Sequence, residues 1–142
     1  MLRQLAVGSL LIVATVAIHA ACTLGVLRLF RLSSRHHWNG GPHTWRVFVV
    51  AIYVLILCYT SLLEAAMWAA AYVRVGAIPS LEPAMYFSIV TFTTLGYGDL
   101  VIGDQWRLLA ATQAATGIIM FGWTTAIVVA LLRHASRHES SS

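Results

Sequence analysis

Lysine is absent from this 142-residue chain, and charged side chains of any kind are scarce. Charged residues make up 10% of the sequence, against 59% hydrophobic ones, and the mean hydropathy is +0.79. A chain this apolar is excluded from the class of ordinary water-soluble domains, and the composition favours a membrane protein. Because the net charge of +4 comes from arginine alone, the arginine positions become the main guide to orientation.

Features that would give the chain a disulfide framework or a sensor are also missing. Cys22 and Cys58 lie in apolar stretches without a paired spacing, so we interpret both as small buried hydrophobic residues. No stretch carries arginine at every third position, which excludes an arginine voltage sensor of the usual kind. After Leu132 only ten residues follow, so we expect no regulatory domain.

Three apolar stretches are long enough to cross a bilayer, which takes roughly twenty residues. They run over about residues 5–27, 47–73 and 108–132. The first span is expected to pack outside the other two, against its own subunit or a neighbour. The segment 76–107 is too short and too interrupted for a fourth span, and we interpret it as re-entrant.

The re-entrant segment contains the signals of a short helix. Ser80 is the expected N-cap, Glu82 lies in the first turn, and Pro83 is early enough to be tolerated. A helix to about Phe92 would direct the negative end of its dipole towards the membrane interior, where a partly dehydrated cation waits. Irregular backbone at that depth is allowed only inside protein or along water.

The hexapeptide Thr94 to Asp99 has the residue types of a potassium selectivity filter. Potassium gives up its water only where oxygens at equivalent spacing replace it, and backbone carbonyls turned to one axis supply them. Turning successive carbonyls the same way needs backbone angles that Gly96 and Gly98 adopt without a Cβ penalty. Leu95 and Tyr97 are expected to point outward and brace the strand, whereas a glycine-rich turn before a helix is the plainer alternative. The predicted K+ ligands are the backbone oxygens of Thr94, Leu95, Gly96 and Tyr97.

Arginine positions predict the orientation of the chain. Six arginines lie on one side of the membrane (Arg28, Arg31, Arg35, Arg46, Arg133 and Arg137) and three on the other (Arg3, Arg74 and Arg107). The positive-inside rule places the first connection and the C-terminus in the cytoplasm and the N-terminus outside. A filter then faces outward, and a signal peptide cleaved before Cys22 would reverse this, so we expect none. We predict a multi-pass protein of the bacterial inner membrane, with anionic headgroups near Arg28, Arg31, Arg35 and Arg46.

The stretch from about Leu81 to Ala126 resembles the pore module of the two-transmembrane ion-channel family, the bacterial potassium channels. Thr91 to Leu100 is similar to the pore loop of that family, and Gly117 to Ala126 is similar to its inner helix. The resemblance implies a homotetramer with one filter strand per subunit, and one loop per chain cannot encircle an ion by itself.

The expected fold is therefore an all-α membrane protein with three transmembrane helices, a re-entrant pore helix and a filter strand per subunit. Its expected parts are an N-terminal transmembrane helix with a basic connection (1–46), a pore module (47–132) and a short cytoplasmic tail (133–142).

Departures from the family pattern concern the support of the filter. Leu95 stands where many members have valine, which leaves the backbone carbonyl and the ion preference unchanged. Val90 stands where the small pH-gated members have a carboxylate that pairs with the filter aspartate, so Asp99 needs another partner or faces water. Tyr86 and Phe87 stand where many members have two bracing tryptophans. These differences predict an altered inactivation behaviour.

Candidates for the cavity and the gate lie on the third span. Ile118, Phe121 and Thr125 share one helix face, which the resemblance suggests is the cavity face, and a lipid or packing face is the alternative. Gly117 is compatible with a hinge or with a close helix contact, whereas for Gly122 we favour the contact.

Ionisable residues supply the candidates for regulation. Glu64 lies inside a span, where a carboxyl is expensive, and it is either a proton sensor or a polar strut between helices, of which we favour the strut. Its candidate partner is His19. The turn-rich loop predicted over residues 33–43 and the tail contribute a possible pH-sensitive or metal-binding collar, with an interfacial role as the simpler alternative: His36, His37, His43, His134 and His138.

These observations predict a homotetrameric potassium channel that conducts passively. We expect no enzymatic activity, no cofactor other than potassium as the permeant ion, and no nucleic-acid partner. Two alternatives stay open: a non-selective or sodium-permeable cation channel on the same scaffold, and a non-conducting membrane subunit.

Overall fold

The computed structural model describes the backbone of residues 1–37 and 43–137, and side chains for residues 1–32 and 48–133. Its elements in chain order are α1 (Leu2–His37), α2 (His43–Arg74), α3 (Leu81–Phe92), a single 3-10 turn (Asp104–Trp106) and α4 (Arg107–Arg137). Three segments are long and apolar enough to cross a membrane: Leu2–Leu32, Phe48–Arg74 and Asp104–Arg133. The predicted all-α architecture with three spans is confirmed for this part of the chain.

The first helix is longer than predicted. We expected a turn-rich loop from residue 33, but α1 continues to His37 and α2 begins at His43. The physical reason is visible in the sequence, because the helix-breaking residues Gly40, Gly41 and Pro42 all come after His37. Residues 38–42, the rest of the predicted loop, lie outside the described residues.

Helix α1 packs against α2 and α4 of its own chain and runs parallel to α4. The backbone N–H of Leu108 donates to Gln4 Oε1 (3.1 Å), which satisfies one of the free amides at the start of α4. The Arg3 guanidinium lies 5.3 Å from the centre of the Trp106 ring. The first span therefore packs against its own chain, with the first turns of α1 beside the first turns of α4.

A left-handed glycine ends α2. Gly76 has φ +73°, and the N–H of Ala77 donates to the carbonyl of Tyr72 (2.9 Å). This is the usual way in which a helix satisfies its last carbonyls and changes direction. The chain then starts α3 at the same end of the bundle.

Helix α3 has the predicted bounds. Ser80 occupies the N-cap position with extended backbone (φ −142°, ψ 162°), although its side chain makes no cap hydrogen bond. The far end of α3 is buried, where Phe92 packs with Ala65 of α2 and Met120 of α4. The two ends of the segment between α2 and α4 lie close together, because Tyr72 and Ile78 pack in one apolar cluster with Ile102 and Trp106.

Candidate functional site

The last turn of α3 fixes the start of the hexapeptide. The N–H groups of Leu95 and Gly96 both donate to the carbonyl of Val90, at 3.0 and 3.2 Å. In a planar trans peptide, an N–H and the carbonyl of the preceding residue point in opposite directions. The carbonyls of Thr94 and Leu95 are therefore both turned away from the end of α3, towards the same side.

Alternate residues of the hexapeptide have left-handed backbone. The φ angles are +61° at Thr94, +56° at Gly96 and +80° at Gly98. The sequence predicted this conformation at the two glycines, and the structure confirms it there and adds Thr94. A residue other than glycine rarely occupies this region, so Thr94 is strained. The hydrogen bonds that the next two amides make to Val90 hold it in this conformation.

The side chains of the hexapeptide are not covered by their own chain. Leu95 is 55% exposed and Tyr97 is 67% exposed. We expected these two side chains to brace the strand, but within one subunit they lie on its surface. A bracing role therefore requires a surface that a single chain does not supply.

Asp99 has a hydrogen-bond partner on α3. The hydroxyl of Tyr86 donates to Asp99 Oδ2 at 2.6 Å. This hydrogen bond holds the pKa of the Asp99 carboxyl below its usual range and raises the pKa of Tyr86. With Val90 in place of a carboxylate, we expected Asp99 to find another partner or to face water. That partner is Tyr86, which lies one helical turn before Val90 and reaches the carboxylate.

The neighbouring aromatic residue has a different surrounding. Phe87 is buried and meets the ring of Tyr72 edge to face, with the ring centres 5.2 Å apart. Tyr86 therefore contacts the hexapeptide, whereas Phe87 anchors α3 to α2.

A buried polar network that the sequence did not predict ties α3 to both flanking helices. The hydroxyl of Tyr72 donates to Gln113 Oε1 (2.7 Å), and Gln113 Nε2 donates to Ser88 Oγ (2.6 Å). Ser88 in turn donates to the carbonyl of Ala65 (2.6 Å). A single amide inside the third span, Gln113, was the available signal, but its partners lie too far away in the sequence to be identified. The network fixes α3 laterally two turns before the hexapeptide.

The two glycines of α4 differ in their surroundings. A Cβ added to Gly117 would lie 1.9 Å from the carbonyl oxygen of Phe92, so α3 and α4 touch through their backbones here. At Gly122 an added Cβ meets nothing within 4 Å. Within one subunit, the close contact that we favoured for Gly122 is therefore found at Gly117.

The face of α4 predicted to line a cavity is open in the single chain. Ile118 is 62% exposed and Phe121 is 38% exposed, and Thr125 is exposed as well. The ring of Phe121 also meets that of Phe92, with the centres 5.8 Å apart. The three residues share one side, as their spacing predicted.

The predicted partnership of Glu64 is confirmed. His19 Nδ1 lies 2.9 Å from Glu64 Oε1, and both side chains are fully buried. His19 Nε2 lies 3.2 Å from Thr124 Oγ1 of α4, a contact that the sequence did not predict. The pair therefore joins three helices.

The histidine collar is not tested by these contacts. The side chains of the five collar histidines lie outside the described residues, as do those of Arg35 and Arg46. In the part of the chain that is described, no group of three histidine, cysteine or acidic residues is arranged to hold a metal ion.

Residues 43–134 match the model of a protein family described as ion channel, which covers more than half of the chain. Among curated proteins, the chain is 35% identical over 82 residues to the voltage-gated potassium channel Kch of Escherichia coli strain K12. The match covers 54% of this chain and 20% of that protein, so the chain spans about a fifth of the relative's length. No solved structure matches the chain.

Proposed function

We propose that this chain, which belongs to the two-transmembrane ion-channel family and is a multi-pass membrane protein and not an enzyme, is a potassium-selective channel. Potassium would pass down its gradient through the hexapeptide Thr94 to Asp99. Its ligands would be the backbone oxygens of Thr94, Leu95, Gly96 and Tyr97, without a further cofactor.

The observation that carries this proposal is the shared hydrogen bonding of two successive amides. Because Leu95 and Gly96 both donate to Val90, the carbonyls before them turn to one side, and the left-handed residues at alternate positions continue that arrangement. Rows of carbonyls on one side are what a filter needs in order to replace the hydration shell of potassium.

A homotetramer is the proposed assembly. One strand supplies carbonyls on one side of an ion only, so several copies must surround it. The exposed side chains of Leu95 and Tyr97 support the same proposal. Neighbouring copies of the chain would cover them and brace the strand, which lipid or water would not do.

We propose that the channel lies in the bacterial inner membrane with its N-terminus outside. The support is the excess of arginine after the first and third spans. Arg28, Arg31, Arg35 and Arg46 would lie near anionic headgroups on the cytoplasmic side.

Bi-ionic reversal potentials of the purified protein in planar bilayers test the ion preference. A potassium-selective channel gives a reversal potential far from zero when potassium and sodium face each other. A reversal potential near zero would instead identify a non-selective or sodium-permeable channel.

Gly96→Ala tests whether the hexapeptide is the conduction path. We expect the potassium flux into proteoliposomes to fall by about tenfold or more, because a left-handed L-residue costs about 1–2 kcal/mol and this cost recurs in every subunit. Gly103→Ala is the matched control, since Gly103 has φ −59° and open space for a Cβ. A wild-type protein without flux would identify a non-conducting subunit, and equal flux through both variants would contradict the proposed path.

A further inference from the structure

Three side-chain contacts join α1 to α2 in one antiparallel row, which we call the polar seam. Its members lie three or four residues apart on each helix, so each set occupies one helix face. The pairs are Thr15 Oγ1 with Trp68 Nε1 (3.0 Å), His19 Nδ1 with Glu64 Oε1 (2.9 Å) and Cys22 Sγ with Thr60 Oγ1 (2.7 Å).

The middle pair of the polar seam continues to α4. The hydroxyl of Thr124 lies 3.2 Å from His19 Nε2, and the ring of Trp123 meets the imidazole edge to face at 5.5 Å. The imidazole therefore uses one nitrogen towards α2 and the other towards α4. In the described hydrogen bonds, the two flanking pairs of the polar seam connect α1 with α2 only.

Burial gives the middle pair a strong hold on the helices. His19 and Glu64 are fully buried, and Glu64 Oε2, unlike Oε1, has no hydrogen-bond partner among the described residues. Polar groups without partners are costly in a span. Helix α4 therefore cannot slide along α1 and α2 at this level without breaking a contact that lipid does not replace.

Thr124 also faces the region below the hexapeptide. It lines a largely apolar cavity of about 320 Å³ between α2, the end of α3 and α4, together with Phe121 and with Thr93, which precedes the hexapeptide. Phe121 also belongs to the exposed face of α4, with Ile118 and Thr125. A shift of α4 at Thr124 therefore changes both the wall of the cavity and the position of Phe121 on that face.

We propose that α1 is part of the gating machinery of its own subunit, with His19 as a positioning residue that holds α4 at Thr124. The proposal rests on the function proposed above, because it assumes that α4 lines the conduction path. The flanking pairs of the polar seam fasten α1 to α2, whereas the middle pair sets the position of α4. Glu64 then serves as the strut that orients the imidazole.

Single-channel recording of the reconstituted full chain tests the proposal with a matched pair of substitutions. Thr124→Val removes the hydroxyl that meets His19 and keeps the side-chain volume, and Thr60→Val does the same at a flanking pair. We expect Thr124→Val to change the open probability about threefold, as the average strength of a hydrogen bond between membrane helices implies. Thr60→Val should leave the open probability near the wild-type value, and both variants should keep the wild-type reversal potential.

Variants of the imidazole give an independent readout. His19→Leu should change the open probability in the same direction as Thr124→Val, and the double variant should change it no further than the larger single change. His19→Gln should restore the wild-type value, because its amide offers a donor and an acceptor. His19→Leu leaves the buried carboxyl of Glu64 without its partner, which reduces folding. Thr124→Val keeps that pair intact, so it tests the proposal even where His19→Leu does not fold.

The outcomes are separable from those of the proposed function. Equal open probabilities in Thr124→Val and wild type, equal changes in Thr124→Val and Thr60→Val, or additive changes in the double variant would each overturn the positioning role. These results would leave an unchanged, potassium-selective reversal potential in place, whereas a wild-type protein without selective current would contradict the proposed function itself.

Discussion

Among single residues, Thr94 has the least expected conformation. It is the non-glycine residue with a left-handed φ in the described part of the chain, and its β-branched side chain makes that region unfavourable. Hydrogen bonds on both sides hold it, since its own N–H donates to Thr91 (3.0 Å) and the next N–H donates to Val90. The sequence predicted left-handed backbone at Gly96 and Gly98 because glycine permits it, but nothing local in the sequence indicates the same at Thr94.

Tyr86 is expected to control the ionisation of Asp99. The hydrogen bond lowers the pKa of Asp99, so the stabilisation that it provides is present above the unfolded-state pKa and is lost as the pH falls through the folded-state pKa. In Tyr86→Phe the pKa of Asp99 should rise towards its ordinary value. We also expect acid on the side of the hexapeptide to reduce the current of the proposed channel, and this reduction should begin at a higher pH in Tyr86→Phe.

Two measurements check this prediction. The carboxyl of Asp99 can be titrated by carbon NMR, and the macroscopic current can be recorded across the same acidic range. Tyr59→Phe is the control, because Tyr59 is an exposed residue of α2 and makes none of the described hydrogen bonds to Asp99. Identical titration of Asp99 in Tyr86→Phe and wild type would contradict the assigned role. A changed rate of current decay in Tyr86→Phe would show that Tyr86 also affects inactivation.

At the scale of elements, the helices follow from the sequence but their contacts do not. The spans and the bounds of α3 were predicted because long apolar runs and a cap signal are local properties. The predicted loop begins too early, at residue 33, because the strong helix breakers Gly40, Gly41 and Pro42 come only after His37. The network of Tyr72, Gln113 and Ser88 could not be predicted, since it depends on which faces of three helices meet.

Gly117 is expected to be indispensable for the packing of α4 on α3. Gly117→Ala places a Cβ against the carbonyl of Phe92, so the helices must separate, and overpacking of this kind costs about 1–3 kcal/mol. The thermal denaturation of the purified protein should shift to lower temperature.

Gly25→Ala is the control for this prediction. Gly25 also lies inside a helix, but an added Cβ meets nothing within 4 Å. Its denaturation temperature should match or exceed that of the wild type, because alanine favours a helix. A Gly117→Ala protein as stable as Gly25→Ala would show that α4 can shift freely away from α3.

At the scale of the whole molecule, the proposed filter has no cover from its own chain. The hexapeptide is exposed along its length, and the face of Ile118 and Phe121 is open beside it. The family match covers residues 43–134, whereas α1 lies entirely outside it. The position of α1 could be learned only from the structure, through contacts such as His19 with Thr124.

Potassium is expected to stabilise the assembled protein. An ion that binds only the folded assembly adds about 2.7 kcal/mol when its concentration is a hundred times its dissociation constant. The temperature at which the proposed tetramer dissociates should therefore fall when sodium replaces potassium. Gel electrophoresis after heating measures it, with Gly96→Ala as the variant in which the two ions should differ less. Equal dissociation temperatures in the two salts for the wild type would argue against ion sites formed by the assembled filter.

The pairing of α1 with α4 also has a consequence for the order in which the protein is made. Gln4 binds Leu108, and His19 binds Thr124. Both partners are synthesised more than a hundred residues later. Glu64, the partner of His19 on α2, is synthesised before α4. The packing of α1 can therefore be completed only once α4 has been synthesised.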